Sequence, residues 1–342
     1  MKSVMRSKKA RRRSAAVLWM LGVAAAYYFS GRLGLLRKVN IYEAVVTPLW
    51  PATGIALAAL LLLGLRVWPG IALGALLTVA AMNEPFMVTP SGLCIVAGNT
   101  LAPVCAFLAL RAVGFRVELD RLRDGLVLVF LGAMAGMLVS ATVGAATLVV
   151  SGSLSLAHFW PVWSAWWAGD ATGVLVVTPL ILVLRRARWP RKDDRWAEAS
   201  LLAVVSVTLT LVVTRSTLST IFIAFPVLVW VALRFQLAGS APCALLMSVM
   251  AIIAGTDRVG PFSGHSVLEV MLNLTALNCC LALTALLLAA LVTEQQNIRR
   301  ETERACDELA ALVEELTPHS TVPGRPPAGH GDRGGFLRDP GI

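Results

Sequence analysis

The chain has 342 residues, of which 57% are hydrophobic and 15% charged, with a formal net charge of +10 and a mean hydropathy of +0.74. Soluble domains carry about 25% charged residues, so the composition excludes a soluble globular protein and points to a polytopic membrane protein. The positive charge is no nucleic-acid footprint, because Arg and Lys sit in short segments between apolar runs and form no basic stripe interleaved with aromatics.

Residues 1–14 form a basic N-terminus, with seven Arg and Lys before Ser14. An apolar run follows without a small-residue cleavage site, so the expectation is an uncleaved first span with its basic end in the cytoplasm. A window of bilayer length places spans at roughly 15–31, 50–65, 67–82, 91–112, 125–150, 160–184, 198–214, 217–233, 239–254 and 267–292. The second, third and ninth are short. The predicted fold is therefore an all-α, polytopic transmembrane helix bundle of about 8–10 spans, the lower count having re-entrant segments.

Orientation follows from the basic residues. With the N-terminus inside, the cytoplasmic segments before the tail hold 19 Arg and Lys, including Arg66, the Arg111–Arg123 group, the Arg185–Arg195 group and Arg234. The opposite side holds five: Arg32, Arg37, Lys38, Arg215 and Arg258. That bias predicts cytoplasmic N- and C-termini. Arg66 and Arg234 are expected to extend toward the cytoplasmic headgroups.

Small residues recur every fourth position at Gly132, Gly136, Ser140 and Gly144, at Gly22, Ala26, Ser30 and Gly34, and at Gly70 and Gly74. Such stripes let helix backbones approach closely, within the chain or across a dimer. A faint internal echo links Pro48–Trp50 before Arg66 with Pro226–Trp230 before Arg234.

Asp170 is the only formal charge between Phe159 and Leu184. A carboxylate at mid-membrane costs at least ~2.5 kcal/mol unless partnered or hydrated. Trp163, Trp166, Trp167, Asp170, Gly173, Val174 and Val177 recur at spacings of three and four, which places the carboxylate and three indoles on one helix face. Two readings stand for Asp170: a sensing group, or a structural carboxylate bonded to a neighbouring helix. Trp160 and Trp163 suit interfacial anchors, while Trp166 and Trp167 lie deeper and suit pocket lining. Asn99, Asn273 and Asn278 also lie in spans, where interhelical hydrogen bonding is the default role.

After Thr293 a heptad seam runs through Ile298, Thr302, Ala305, Leu309, Leu312 and Leu316. Residues 293–317 are thus expected to form a cytoplasmic signalling helix, a short coiled coil through which a homodimer would pair at 293–316. Residues 318–342 turn to Pro, Gly, His and Arg and are expected to be disordered.

No enzymatic signature emerges. The sequence has no phosphate-binding loop, dinucleotide fingerprint, nucleophile elbow or kinase motif set. His158, His265, His319 and His330 form no metal-ligand spacing with Cys, Asp or Glu, and no cofactor is expected. The six cysteines show no Cys-x-x-Cys and five lie in apolar runs, so they are expected as small buried hydrophobes.

Several stretches together resemble the MASE1 family, the membrane-associated sensor domain of bacterial signalling proteins. They are Leu49–Leu57, Gly64–Gly70, Trp163 with Trp167–Asp170, Gly173–Leu175, Pro226 with Trp230, Leu233–Phe235 and Gly260–Phe262. The family's Trp-Pro-x-Thr-Gly motif falls on Trp50, Pro51, Thr53 and Gly54, and its Trp…Gly-Asp motif on Trp167, Gly169 and Asp170. The resemblance covers roughly 15–292 and implies a multi-pass sensor domain in the bacterial inner membrane. Such domains are usually fused to kinase, cyclase, phosphodiesterase or PAS modules, and the sequence shows none after the last span.

The expectation is a non-catalytic domain that senses a small ligand, a lipid or a membrane partner and relays a change to a separate cytoplasmic signalling protein. Candidate sensing residues are Asp170, Trp166, Trp167, Trp163, Gly169, Trp50, Pro51, Thr53 and Asn99. Arg66, Trp68, Pro69 and Arg234 are expected at turns. The rival readings are a proton-coupled transporter and a truncated remnant of a larger sensor.

Overall fold

A computed structural model describes the backbone of residues 2–82, 86–186, 195–216 and 220–316, and the side chains of 14–82, 86–185, 197–216 and 220–313. The predicted tail 318–342, most of the basic N-terminus and most of the Arg185–Arg195 cluster lie outside these side chains.

The helices in chain order are α1 (Lys2–Leu35), α2 (Pro51–Leu63), α3 (Trp68–Ala80), α4 (Pro90–Ala112), α5 (Leu122–Val127), α6 (Leu138–Val150), α7 (Phe159–Arg186), α8 (Arg195–Arg215), α9 (Ala224–Thr256) and α10 (Val267–Leu316). A π-helical stretch, Leu128–Ala135, joins α5 to α6. Seven segments are long and apolar enough to cross a membrane; α2 and α3 are shorter. Each has 13 residues, about 20 Å at the α-helical rise. Gln236 breaks α9 with φ 52° and ψ −146°. Every predicted span therefore coincides with a helical segment, and the eighth and ninth are the two arms of the broken α9.

The faint echo has a structural counterpart. Gly64, with φ 81° and ψ 178°, follows the short helix α2, and Gln236 follows the short first arm of α9. Glycine reaches this backbone region without strain and glutamine does not. Both breaks lie between a helix that ends and a helix that returns.

An antiparallel hairpin of β1 (Val39–Ile41) and β2 (Ala44–Val46) links α1 to α2 in the register Val39↔Val46 and Ile41↔Ala44. Its turn holds Tyr42 at φ 52°. The sequence reading expected no strands; this short ribbon is an addition to the helical bundle.

Contacts sort the helix ends into two sets. At the hairpin end, Arg37 pairs with Asp257 at 2.7 Å, Tyr42 stacks on His158 at 3.7 Å, and Arg32 donates to the Ala81 carbonyl. At the opposite end, Arg234 donates two hydrogen bonds to Glu198, at 2.6 and 2.9 Å, and Gln236 donates to Gln296 at 2.6 Å. Exposed ion pairs of this kind contribute about 0–1 kcal/mol, so they report the topology more than they hold it. Residues expected on one side of the membrane meet residues expected on that same side. Arg234, expected to extend toward the headgroups, is half-exposed and paired with Glu198.

Helix α7 is central. Its most apolar window is 72% buried, against 22–50% for the other six candidate spans. Residues of the small-residue stripes lie at close helix contacts, one of them with α7. A Cβ on Gly136 would overlap Ala106 of α4, one on Gly144 would overlap the Trp166 ring, and one on Gly70 would overlap the Met20 carbonyl. Gly70, Gly136 and Gly144 thus serve contacts within the chain, while Gly22 meets nothing within 4 Å.

The cysteines correct another expectation. Cys94, Cys105 and Cys280 are exposed on the bundle surface, and Cys243 and Cys279 are half-buried. An apolar residue in a membrane protein is satisfied by lipid as well as by protein, so an apolar run does not imply an interior position.

The chain divides into two compact units, Met1–Gln296 and Asn297–Ile342. In the second, the described residues are helical to Leu316. The seam residues Ile298, Thr302, Ala305, Leu309 and Leu312 are all exposed.

Candidate functional site

The segment Thr47–Gly54 lies directly against α7, and glycine makes that approach feasible. A Cβ at Gly169 would overlap the Thr47 carbonyl oxygen, one at Gly173 the Trp50 carbonyl oxygen, and one at Gly54 the Gly173 carbonyl oxygen. The contact is then sewn by polar bonds. Trp50 N–H donates to the Gly169 carbonyl at 3.0 Å. The Thr53 hydroxyl lies 2.8 Å from the Trp50 carbonyl and 3.1 Å from the Asp170 carbonyl. The Thr178 hydroxyl donates to the Gly54 carbonyl at 3.0 Å. Pro51 opens α2, where a missing N–H costs nothing. The Trp-Pro-x-Thr-Gly and Gly-Asp motifs, 117 residues apart, are two halves of one helix contact.

This crossing aims the Asp170 side chain away from α2. It is 2% exposed and accepts a hydrogen bond of 2.5 Å from the Ser140 hydroxyl of α6. Ser140 also bonds the Met137 carbonyl of its own helix.

Asp170 lies on the wall of a cavity of about 300 Å³. The cavity runs from the hairpin and the start of α4 down between α1, α3 and α7. Its wall includes Tyr27, Trp50, Asn99, Trp166, Gly169 and Asp170. Tyr27 is fully buried and Asn99 is 6% exposed. Tyr27 Oη and Asn99 Oδ1 have no hydrogen-bond partner among the described residues. Leaving such a group unpaired costs about 1–3 kcal/mol, a cost that a bound molecule or water would remove. Pro103, one turn beyond Asn99, also cannot donate to the Asn99 backbone carbonyl.

The expected indole face divides in two. Trp166 joins the cavity wall with Asp170. Trp163 and Trp167 stack on each other, 6.4 Å apart and nearly parallel, beside the α5–α6 segment. Trp163 Nε1 donates to the Thr142 hydroxyl at 3.0 Å, and Trp167 Nε1 to the Met134 carbonyl at 2.8 Å. Met134 lies in the π-helical stretch, a type of helix irregularity frequent at functional sites.

The structure thus brings together Asp170, Trp166, Gly169, Trp50 and Asn99 at the cavity. Pro51 and Thr53 belong to the α2–α7 crossing behind it. Arg66, Trp68 and Pro69 lie at the turn into α3, Arg66 and Trp68 exposed. Asn278 accepts a hydrogen bond from Ser248 and joins α10 to α9, while Asn273 is exposed.

Tyr27 and Ser140 were not among the residues singled out from sequence. Tyr27 sits in an amphipathic-looking first span where a phenol suits the membrane interface. Ser140 was read only as one small residue in a packing stripe.

A family model described as MASE1 matches residues 19–296. No curated protein and no solved structure matches the chain.

Proposed function

The chain belongs to the MASE1 family, and from that membership we propose that a small ligand occupies the cavity beside Asp170 and that its binding is relayed through α7 to α9 and α10. The coarse role is given by the family: a multi-pass, membrane-associated sensor domain. What supports the ligand reading is one observation. Two buried oxygens without partners, Tyr27 Oη and Asn99 Oδ1, share a cavity wall with a buried carboxylate.

The packing supports the relay. Farther along α7, Leu175, Val176 and Pro179 meet Leu237, Ala241 and Ala244 of α9 and Asn278, Ala282 and Leu286 of α10 around a void of about 10 Å³. Pro179 cannot donate to the Leu175 carbonyl, which gives α7 a point of easier bending. That point lies beside the two helices joined by the Gln236–Gln296 hydrogen bond. A ligand shifts such an assembly only by its differential affinity for two arrangements. On this reading the 293–316 helix passes the change to a second copy of the chain or to a separate cytoplasmic signalling protein.

The test is a fusion of the chain to a diguanylate cyclase reporter in a bacterial inner membrane. Asp170→Asn keeps the shape and the acceptor for Ser140, and it is expected to fix the output at one level across growth conditions. A response range equal to wild type, at equal membrane abundance, would sink the sensing role of Asp170.

A transporter reading draws on the short α2 and α3 and on the break at Gln236, features that frame midplane sites in transporters. Proton-coupled uptake into proteoliposomes that disappears in Asp170→Asn would favour it.

A further inference from the structure

We propose that the cavity is built for a small organic ammonium ion; this rests on the reading above that the cavity receives a ligand. Among the described residues, the only formally charged side chains on its wall are Glu43 and Asp170, and no Lys, Arg or His lines it. The Ser140 hydroxyl gives Asp170 a neutral donor, but no basic side chain on the wall balances its charge, which favours a cation in the cavity.

The neutral polar groups agree with that sign. Tyr27 Oη and Asn99 Oδ1 can both accept hydrogen bonds, and both are buried without a protein donor. With Asp170 they offer an ammonium N–H set three oxygens from three helices, α1, α4 and α7. The aromatic groups agree as well. The rings of Tyr27, Trp50 and Trp166 share the wall, and aromatic faces attract a desolvated cation. An anion would meet two carboxylates on the wall, the outer one, Glu43, lying 3.8 Å from the His158 imidazole, and no Lys or Arg among the described lining residues. Glu43, 62% exposed at the hairpin, sits where an approaching cation would first arrive. The cavity of about 300 Å³ is at the lower end of small-molecule pockets, which limits the occupant to a compact amine rather than a lipid.

The experiment uses the full chain in nanodiscs with three probes of similar size: n-butylammonium, n-butanol and butyrate. Tryptophan fluorescence reports binding, since Trp50 and Trp166 line the cavity, and thermal unfolding reports stabilisation. The expected result is quenching and a raised Tm with butylammonium alone, about tenfold weaker binding in Asp170→Asn, and tighter binding in Asn99→Asp. The gain in Asn99→Asp cannot come from damage to the fold. Equal or stronger binding of butanol or butyrate would overturn the cation assignment, as would butylammonium binding that ignores both substitutions. Those outcomes leave the ligand reading separately decidable: filling the cavity with Thr78→Trp must still change reporter output if a ligand of another charge is sensed there. Unchanged output in that variant overturns the ligand reading as well.

Discussion

The Ser140 hydroxyl and the Asp170 carboxylate meet at 2.5 Å across the contact of α6 with α7. That bond engages Oδ2 of the carboxylate. Ser140→Ala is expected to cost about 1–3 kcal/mol because it strands a buried acceptor. Asp170→Asn is expected to cost less, since an amide oxygen still accepts from Ser140. Thermal unfolding of the two variants in detergent measures the order, and a larger loss in Asp170→Asn contradicts it.

The glycine contacts predict an asymmetry between similar substitutions. Gly173→Val would drive a side chain into the Trp50 carbonyl and the Thr53 hydroxyl. Overpacking usually costs about 1–3 kcal/mol, and more is expected where the obstacle is backbone. Gly22→Ala meets nothing within 4 Å and should leave stability unchanged or slightly raised, because Ala is about 1 kcal/mol better than Gly inside a helix. Size-exclusion profiles of fluorescent fusions after a heat step compare the two. Equal tolerance would contradict the α2–α7 contact.

Sidedness is testable with thiol chemistry. In a background with all six cysteines replaced, Ser153→Cys lies at the hairpin end and Glu118→Cys at the opposite end. A membrane-impermeant maleimide added to intact spheroplasts should label Ser153→Cys and spare Glu118→Cys, with the pattern reversed in inverted vesicles. Labelling of both from one side contradicts the topology.

The break at Gln236 carries backbone strain, because φ 52° with ψ −146° suits glycine. Gln236→Gly should therefore keep or raise thermal stability while removing the side-chain bonds to Thr293 and Gln296. In the reporter fusion it is expected to shift basal output without loss of membrane abundance. A fall in stability with unchanged output would show that the bond to Gln296 is structural only.

Much of this fold is legible in the sequence, because long apolar runs and a bias of Arg and Lys across loops act over whole segments. The helices α2 and α3 were legible only as short spans, since their length falls below a bilayer window. The hairpin 39–46 was not, because three-residue strands leave no periodic signal. At the site, Asp170 and Asn99 were legible because a polar group in an apolar run is costly wherever the helix points. The division of the indoles was not. A broad face of α7 meets α1 and α4 across the cavity on one edge and the α5–α6 segment on the other, and spacing alone cannot say where one neighbour gives way to the next. Tyr27 stayed hidden for a related reason: its phenol is amphipathic, and only the fold shows the hydroxyl buried without a partner. Cysteine exposure was misread because lipid rewards the same residues as a core does.

On the proposed relay, the state of the cavity is felt where the break of α9 at Gln236 meets Gln296 of α10. Spin labels at Leu233→Cys and Glu294→Cys, both exposed and close in sequence to Gln236 and Gln296, measure it in nanodiscs by double electron–electron resonance in the cysteine-free background. Asp170→Asn and the cavity-filling Thr78→Trp are each expected to shift or narrow the distance distribution relative to wild type. Identical distributions in all three proteins, each monodisperse, would contradict it.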